Sequence, residues 1–231
     1  MIEDKIRNAH KIIERALSMS KKPFVAYSGG KDGLIVAHMI SKYYVPNIKM
    51  VCETSHTFDS VVSDIKEISN LYNFNVDYIN SLSDDWLLRH PEYLFTSDFK
   101  LIAKYCFRRQ QTTIKKYQKK NGYDLTFTGR TKWDNTVKAE IYSTKKNGLQ
   151  AHPIRDFTEK DVWEYFRKEN VRVPMIYNTK FGKKTGNSPF YAMGYKNKGL
   201  PISECWEAVN ELDVEKKYYN KFHEHTIRDF A

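Results

Sequence analysis

The stretch PFVAYSGGKDGLIVAHMI, residues 23–40, constrains the fold more than any other part of this chain. Its first apolar run lacks polar alternation and reads as a strand buried on both faces. Two adjacent glycines, a lysine and an aspartate follow, and then a second apolar run of helical character. Glycine allows positive φ and leaves no side chain between the backbone and a ligand. A helix beginning near Lys31 turns its N-terminal N–H groups and the positive end of its dipole back toward the junction. Strand, glycine turn and helix together therefore read as an anion site, with Lys31 as a mobile cation. Asp32 would repel a bare anion, so it reads as a backbone or cap contact, or as a carboxylate for a divalent metal beside phosphates. The spacing is not that of the GxxxxGK[ST] phosphate loop, because the lysine follows the glycine pair directly.

The alternation of strand and helix continues along the chain. Residues 2–18 read as an amphipathic helix with Ile2, Ile6, Ala9, Ile13, Ala16 and Leu17 near one face. Strands are expected at 23–27, 48–53, 75–79 and 124–129, and helices at 31–44 and 58–73. Val61, Ile65, Ile68 and Leu71 form the buried stripe of the latter. A long helical region spans 98–120, and another helix opens at Thr158, with Asp161 three residues on as a capping-box partner. This order gives an α/β fold: a Rossmann-like parallel sheet with helices on both faces. Ligands of such sheets collect at the carboxyl ends of the strands, where Ser28–Gly33 and Thr128–Arg130 both fall. Residues 1–178 form the expected domain. Residues 179–231, poorer in pattern, form a loop-rich C-terminal extension packed on it, with one helix near 203–219.

Thirty-eight basic residues against 28 acidic ones give a formal charge of +10. Such an excess suits a polyanion such as DNA or RNA, or an anionic small molecule, and equally suits a merely solvated surface. Arg108, Arg109, Lys115, Lys116, Lys119 and Lys120 concentrate it along one helical region, where Arg108 and Arg109 read either as anion contacts or as a solvated face. No run of about 18 apolar residues is present, so no membrane span is expected. The charged N-terminus lacks the apolar centre of a signal peptide, which points to the cytoplasm. Cys52, Cys106 and Cys205 stand far apart, against a disulfide framework, a zinc ribbon or an iron–sulfur cluster. His223 and His225 read as solvated, so no metal site built from protein ligands is expected.

Four stretches carry a resemblance. SGGKD after the first strand resembles the PP-loop of the adenine-nucleotide alpha-hydrolase superfamily of ATP pyrophosphatases. VCETSHTF is similar to a second-strand DTGxxF, with Glu53, Thr54 and Phe58 on the matching positions. FTGRTKWDNTVKAEIYS resembles a GxR…R segment, with Gly129 on the glycine and Lys138 on the downstream arginine. HPIRDFTEKDVWEYFRKENVRVPMIY resembles PI..WT..DVW.Y…..P..PLY. Together they identify the chain as resembling the phosphoadenosine-phosphosulfate reductase family, which includes the ATP sulfurylase small subunit.

The resemblance implies that residues 1–178 bind ATP or a related adenine nucleotide. Ser28, Gly29, Gly30, Lys31, Asp32 and Gly33 would line the phosphates, with Gly129 beside them, and Glu53 and Thr54 would face the ribose or adenine. Lys31, Asp32, Arg130 and Lys138 would act on the α-phosphate and the leaving pyrophosphate, with Mg2+. The implied activity is an adenylyltransfer that releases pyrophosphate, in sulfur metabolism or nucleic-acid modification. A partner protein subunit is implied for the sulfate-activating branch.

The chain also departs from the family. Gly33 replaces the serine of SGGKDS, and Thr131 occupies the GxR arginine position between Arg130 and Lys132. The tail TIRDFA lacks the reductases' cysteine, and Leu200 stands near the first cluster-binding cysteine position. These differences set the expectation against sulfonucleotide reduction. They also leave open a degenerate nucleotide-binding sensor or partner subunit.

Overall fold

In the computed structural model, which describes residues 1–93, 98–134, 137, 139–144, 148–179, 207 and 211–212, helix α1 (Ile2–Ser18) opens the chain. Its buried residues Ile2, Ala9, Ile12, Ile13 and Ala16 follow the helical period, while Ile6 and Leu17 are half-buried. Strand β1 (Pro23–Ala26), helix α2 (Lys31–Tyr43), strand β2 (Lys49–Glu53), helix α3 (Asp59–Leu71) and strand β3 (Asn75–Ile79) then alternate as expected. Helices α4 (Asp84–Leu88) and α5 (Phe99–Cys106) lead into a π-helical turn, Phe107–Gln111, and then helix α6 (Thr112–Asn121). Strand β4 (Leu125–Thr128), a hairpin of β5 (Ile141–Thr144) and β6 (Gly148–Ala151), and helix α7 (Glu159–Lys168) follow.

The six strands lie in the order β3-β2-β1-β4-β6-β5. β1 pairs in parallel with β2 (Phe24 opposite Lys49) and with β4 (Phe24 opposite Thr126), and β6 pairs in parallel with β4. Consecutive strand residues are buried: Phe24 with Val25, Met50 with Val51, and Leu125 with Thr126 and Phe127. Burial on both faces is why these runs are apolar rather than alternating. Helix α2 is buried from Gly33 to Ser41, which explains its uninterrupted apolar sequence.

The expected α/β fold is present, with refinements. The sheet is mostly parallel, and β5 runs antiparallel to β6. The hairpin strands IYST and GLQA are short and half-polar, and carry no strand periodicity. Leu71, expected on the buried stripe of α3, is 58% exposed, while Val61, Ile65 and Ile68 are buried. It is the last residue of α3, past the part of the helix that covers the core. The long helical region expected over 98–120 is present, as two α-helices joined through the π-helical turn. The capping box at α7 is present as expected, with Thr158 and Asp161 bonded reciprocally. Trp163 is half-buried against Phe166.

The chain forms two compact units. One comprises Met1–Cys52, Ile68–Tyr78 and Ile114–Val173, and the other Glu53–Glu67, Ile79–Thr113 and Pro174–Ala231. The first holds β1, β4, β5, β6 and helices α1, α2 and α7. The second has its own interior of Phe58, Leu87, Tyr93 and Tyr105, with Trp86 stacked on Tyr93 at 5.5 Å. The expected C-terminal extension, including its helix near 203–219, lies almost entirely outside the described residues, as do Leu200, Cys205, His223 and His225. Among the described residues no helix is long and apolar enough to cross a membrane.

Candidate functional site

The junction after β1 is built by backbone chemistry. Tyr27 N–H donates to Val51 O at 2.9 Å and carries the extended chain one residue past the strand. Gly29 then takes φ 74°, a left-handed conformation costly for a residue with a Cβ. Gly30 caps α2 in an extended conformation with no side chain bonded to the helix start, and the first helical bond runs from Leu34 N–H to Gly30 O at 2.9 Å. A helix start left open by glycine is the geometry that binds phosphate. Lys31 Nζ lies 3.0 Å from the Asp32 carboxylate. Burial pushes the Asp32 carboxyl above its usual range against the pull of Lys31, and the charges of Asp134 and Glu159 push it the same way.

Gly129 closes this junction from the β4 side. A Cβ at Gly129 would stand 2.4 Å from Asp32 C, 2.5 Å from Gly33 N and 2.6 Å from Asp32 O. The end of β4 thus rests directly on the first turn of α2, so one unit brings together Ser28, Gly29, Gly30, Lys31, Asp32, Gly33, Gly129 and Arg130. Arg130 is half-buried, and its N–H donates to Thr128 Oγ1 at 3.4 Å. Thr128 Oγ1 also bonds His152 Nδ1 at 2.7 Å. His152 is fully buried, and burial, with the charges of Arg130 and Arg155, brings its pKa down to about 4.

The segment after Arg130 is pinned from several sides. Thr131 N–H donates to Asp134 Oδ2 at 2.7 Å, and Lys132 N–H to Arg155 O at 2.8 Å. Trp133 Nε1–H donates to Phe157 O at 3.2 Å, yet the residue is 61% exposed. Lys132 Nζ lies 3.4 Å from Asp156 and 5.1 Å from the Trp133 ring centre. Lys138 lies outside the described residues.

Glu53 and Thr54 belong to the second unit. Glu53 is buried, and its Oε1 accepts from Ser55 N–H at 3.0 Å, from Ser81 Oγ–H at 2.9 Å and from Ser55 Oγ–H. Its other oxygen forms an ion pair with Arg109, whose Nη2 donates to Glu53 O and Thr57 Oγ1, each at 3.2 Å. The carboxylate expected to face a ribose or adenine is therefore engaged in organising its own loop. Thr54 N–H donates to Ile79 O at 2.8 Å. Arg109, only 3% exposed, is neither on a solvated face nor an open anion contact. No local pattern marks a partner 56 residues away, so sequence reasoning missed this pair. Arg108 lies over the Trp86 ring, 5.4 Å from its centre.

The model of the phosphoadenosine phosphosulfate reductase domain matches residues 22–190. The chain belongs to this family. Sulfate adenylyltransferase subunit 2 of Mycobacterium tuberculosis is 22% identical, over 72% of this chain and 61% of that protein. An uncharacterized protein of Methanocaldococcus jannaschii is 26% identical, over 94% of this chain and 47% of its own length. The chain thus spans roughly half to three fifths of the length of these curated relatives. Two solved structures share the fold. One is the phosphoadenylyl-sulfate reductase of Candida auris in a phosphate complex, with TM-score 0.58 and 15% identity over 77% of this chain and 89% of that one. The other is the FMN adenylyltransferase of Candida glabrata with FAD and inorganic pyrophosphate, with TM-score 0.54 and 12% identity over 81% of this chain and 62% of that one.

Proposed function

We propose that this member of the family binds ATP on the Ser28–Gly33 loop and transfers its adenylyl group to an acceptor. An acceptor oxygen attacks the α-phosphorus, the bond to the bridging oxygen of the β-phosphate breaks, and pyrophosphate leaves with the electron pair. The observation that carries the reading is the side-chain-free start of α2, formed by Gly29 and Gly30 and braced by Gly129. The adenylyltransferase names among its relatives support the reaction class.

In this reading Lys31 and Arg130 neutralise charge developing on the α-phosphate and pyrophosphate, which is the main way a protein accelerates phosphoryl and nucleotidyl transfer. Lys138 has the same proposed role on the resemblance alone, as do Glu53 and Thr54 at the ribose or adenine. Asp32 is the loop's carboxylate. One carboxylate plus substrate phosphates is a donor set that suits Mg2+, which would supply further charge neutralisation. The sulfate-activating relatives are named as subunits, which motivates a protein partner for this chain too. Residues 179–231 remain a proposed extension of the 1–178 domain.

The test is calorimetry with ATP on wild type, Lys31→Ala and Asp32→Ala, with pyrophosphate release followed with sulfate, single-stranded DNA or RNA added. Losing a charge-assisted contact worth about 1.5–3 kcal/mol weakens ATP binding about 10- to 150-fold. Urea midpoints should hold, because both side chains are only half-buried and neither belongs to the hydrophobic core. Equal ATP affinity in all three proteins would refute the assignment.

A second reading, a nucleotide-binding sensor or partner subunit without turnover, is favoured by Thr131. It stands at the family's arginine position, and both its N–H and its hydroxyl are tied to Asp134. ATP binding without pyrophosphate release under any acceptor would select it.

A further inference from the structure

Trp133 is the large hydrophobic residue that the fold leaves open beside the ATP loop. Single exposed apolar residues are ordinary, and the other exposed ones in this unit follow that rule. Met1 stands at the start of α1, and Met19, Tyr43 and Leu71 are exposed where the chain leaves a helix to begin a strand, at the amino ends of the strands. Trp133 lies instead on the segment leaving the carboxyl end of β4, three residues after Arg130. Among the described residues of this unit it is the exposed large hydrophobic so placed.

Its ring is held in place while its surface stays open. The indole N–H is taken by Phe157 O at 3.2 Å, and the neighbouring Lys132 and Thr131 backbones are fixed by Arg155 O and Asp134. With the indole N–H bonded and Lys132 Nζ over the ring at 5.1 Å from its centre, what the residue offers a ligand is the π-surface that Lys132 leaves open. An immobilised ring of that kind also loses little entropy when a second ring lies on it. The segment lies within electrostatic reach of the ATP loop, since the Asp134 charge acts on Asp32. Arg130, Lys132 and Arg155 supply positive charge around Trp133, against Asp134 and Asp156, which pair with Thr131, Lys132 and Arg155.

An aromatic platform beside basic side chains matches a ligand that carries both a flat ring and a phosphate. Inorganic sulfate has no flat ring and gains nothing from Trp133. We propose that Trp133 is the stacking platform for the acceptor, and that the acceptor is a phosphate-bearing aromatic heterocycle rather than an inorganic oxyanion. This deepens the adenylyltransferase reading and rests on it.

The test uses the full chain, with ATP affinity measured by calorimetry and acceptor binding by quenching of tryptophan fluorescence in the presence of a non-hydrolysable ATP analogue. The probes are GMP, FMN, a single-stranded oligonucleotide and sulfate, applied to wild type, Trp133→Phe and Trp133→Ala; calorimetry measures the probes on the variants, whose quenching signal is altered. The expected result is that at least one ring-bearing probe quenches wild type. Trp133→Ala should bind that probe about 5- to 150-fold more weakly, the range that base–aromatic stacking spans. Trp133→Phe should retain most of the affinity, and all three proteins should bind the ATP analogue alike. Quenching by the mononucleotides or FMN identifies a free small-molecule acceptor, and quenching by the oligonucleotide alone identifies a nucleic-acid strand. Ring-bearing probes that bind Trp133→Ala as tightly as wild type would overturn the proposal, as would binding of sulfate alone. Loss of ATP binding in Trp133→Ala would also overturn it, by making the residue an adenine platform. Failure of wild type to bind ATP at all would instead strike the adenylyltransferase reading itself.

Discussion

Replacing Gly129 with alanine adds one methyl group at the tightest point of the candidate site. Its Cβ would meet Asp32 C, Gly33 N and Asp32 O at 2.4, 2.5 and 2.6 Å, all backbone atoms that no rotamer change can move aside. Ordinary contact begins near 3.4 Å, so β4 and the start of α2 must separate by about 1 Å. Overpacking of this kind costs about 1–3 kcal/mol, and a backbone-on-backbone clash belongs at the upper end. The displaced atoms belong to the proposed ATP-binding loop, so ATP affinity should fall together with stability. Gly33→Ala is the matched control. Its added Cβ would meet Ser28 N at 3.5 Å, Ser28 Oγ at 3.6 Å and Tyr27 Cδ2 at 3.7 Å, which is ordinary contact. Gly33 lies inside a helix, where glycine costs about 0.5–1 kcal/mol relative to alanine, so this variant should gain that amount. Urea unfolding at constant slope reads both changes, and calorimetry reads ATP. A Gly129→Ala protein within about 0.5 kcal/mol of wild type that binds ATP normally would refute the reasoning.

Two further outcomes are expected. Arg109→Met strands the buried Glu53 carboxylate and should cost about 3–5 kcal/mol, whereas the double variant with Glu53→Gln should lose much less than the two single losses together; simple additivity would show that the pair is not coupled. Stability should also fall as pH drops from about 6.5 to about 4, because the unfolded chain takes up protons that buried His38 and His152, each brought down to about 4, refuse in the folded state. A tenfold change in proton affinity is worth about 1.4 kcal/mol, and discounting for solvent leaves about 1–2 kcal/mol per histidine. Lys42 acts on His38, and Arg130 and Arg155 on His152, in the same direction, whereas Asp32, with its raised pKa, works against the trend. Urea midpoints that stay level from pH 7 to pH 4.5 would refute this.

What could be read from the sequence was whatever local chemistry specifies. β1, β2 and β4 are continuous apolar runs because they are buried on both faces, and a run of that kind needs no partner to be recognised. The glycines of the Ser28–Gly33 junction and of the β4 end were equally plain, since Gly29 at φ 74° and the crowded Gly129 are sites that glycine serves best. The Glu53–Arg109 ion pair was hidden because its members are far apart in the chain and meet only after folding. The β5–β6 hairpin was hidden because β6 owes its place to pairing with β4, and β5 to pairing with β6, rather than to their own periodicity. Trp133 was passed over because an aromatic next to a lysine says nothing of exposure until Phe157 O is seen to hold its indole N–H.

The π-helical turn at Phe107–Gln111 also bears on ancestry. Its backbone bond from Thr112 N–H to Phe107 O spans five residues instead of four, which amounts to one residue inserted into an otherwise continuous α-helix. An ungapped alignment through this segment against a relative with a straight helix would slip by one position. Arg109 would then be matched to a neighbour of its true counterpart. Comparison of the Arg109 segment with such a relative therefore needs a single-residue gap placed within 107–111.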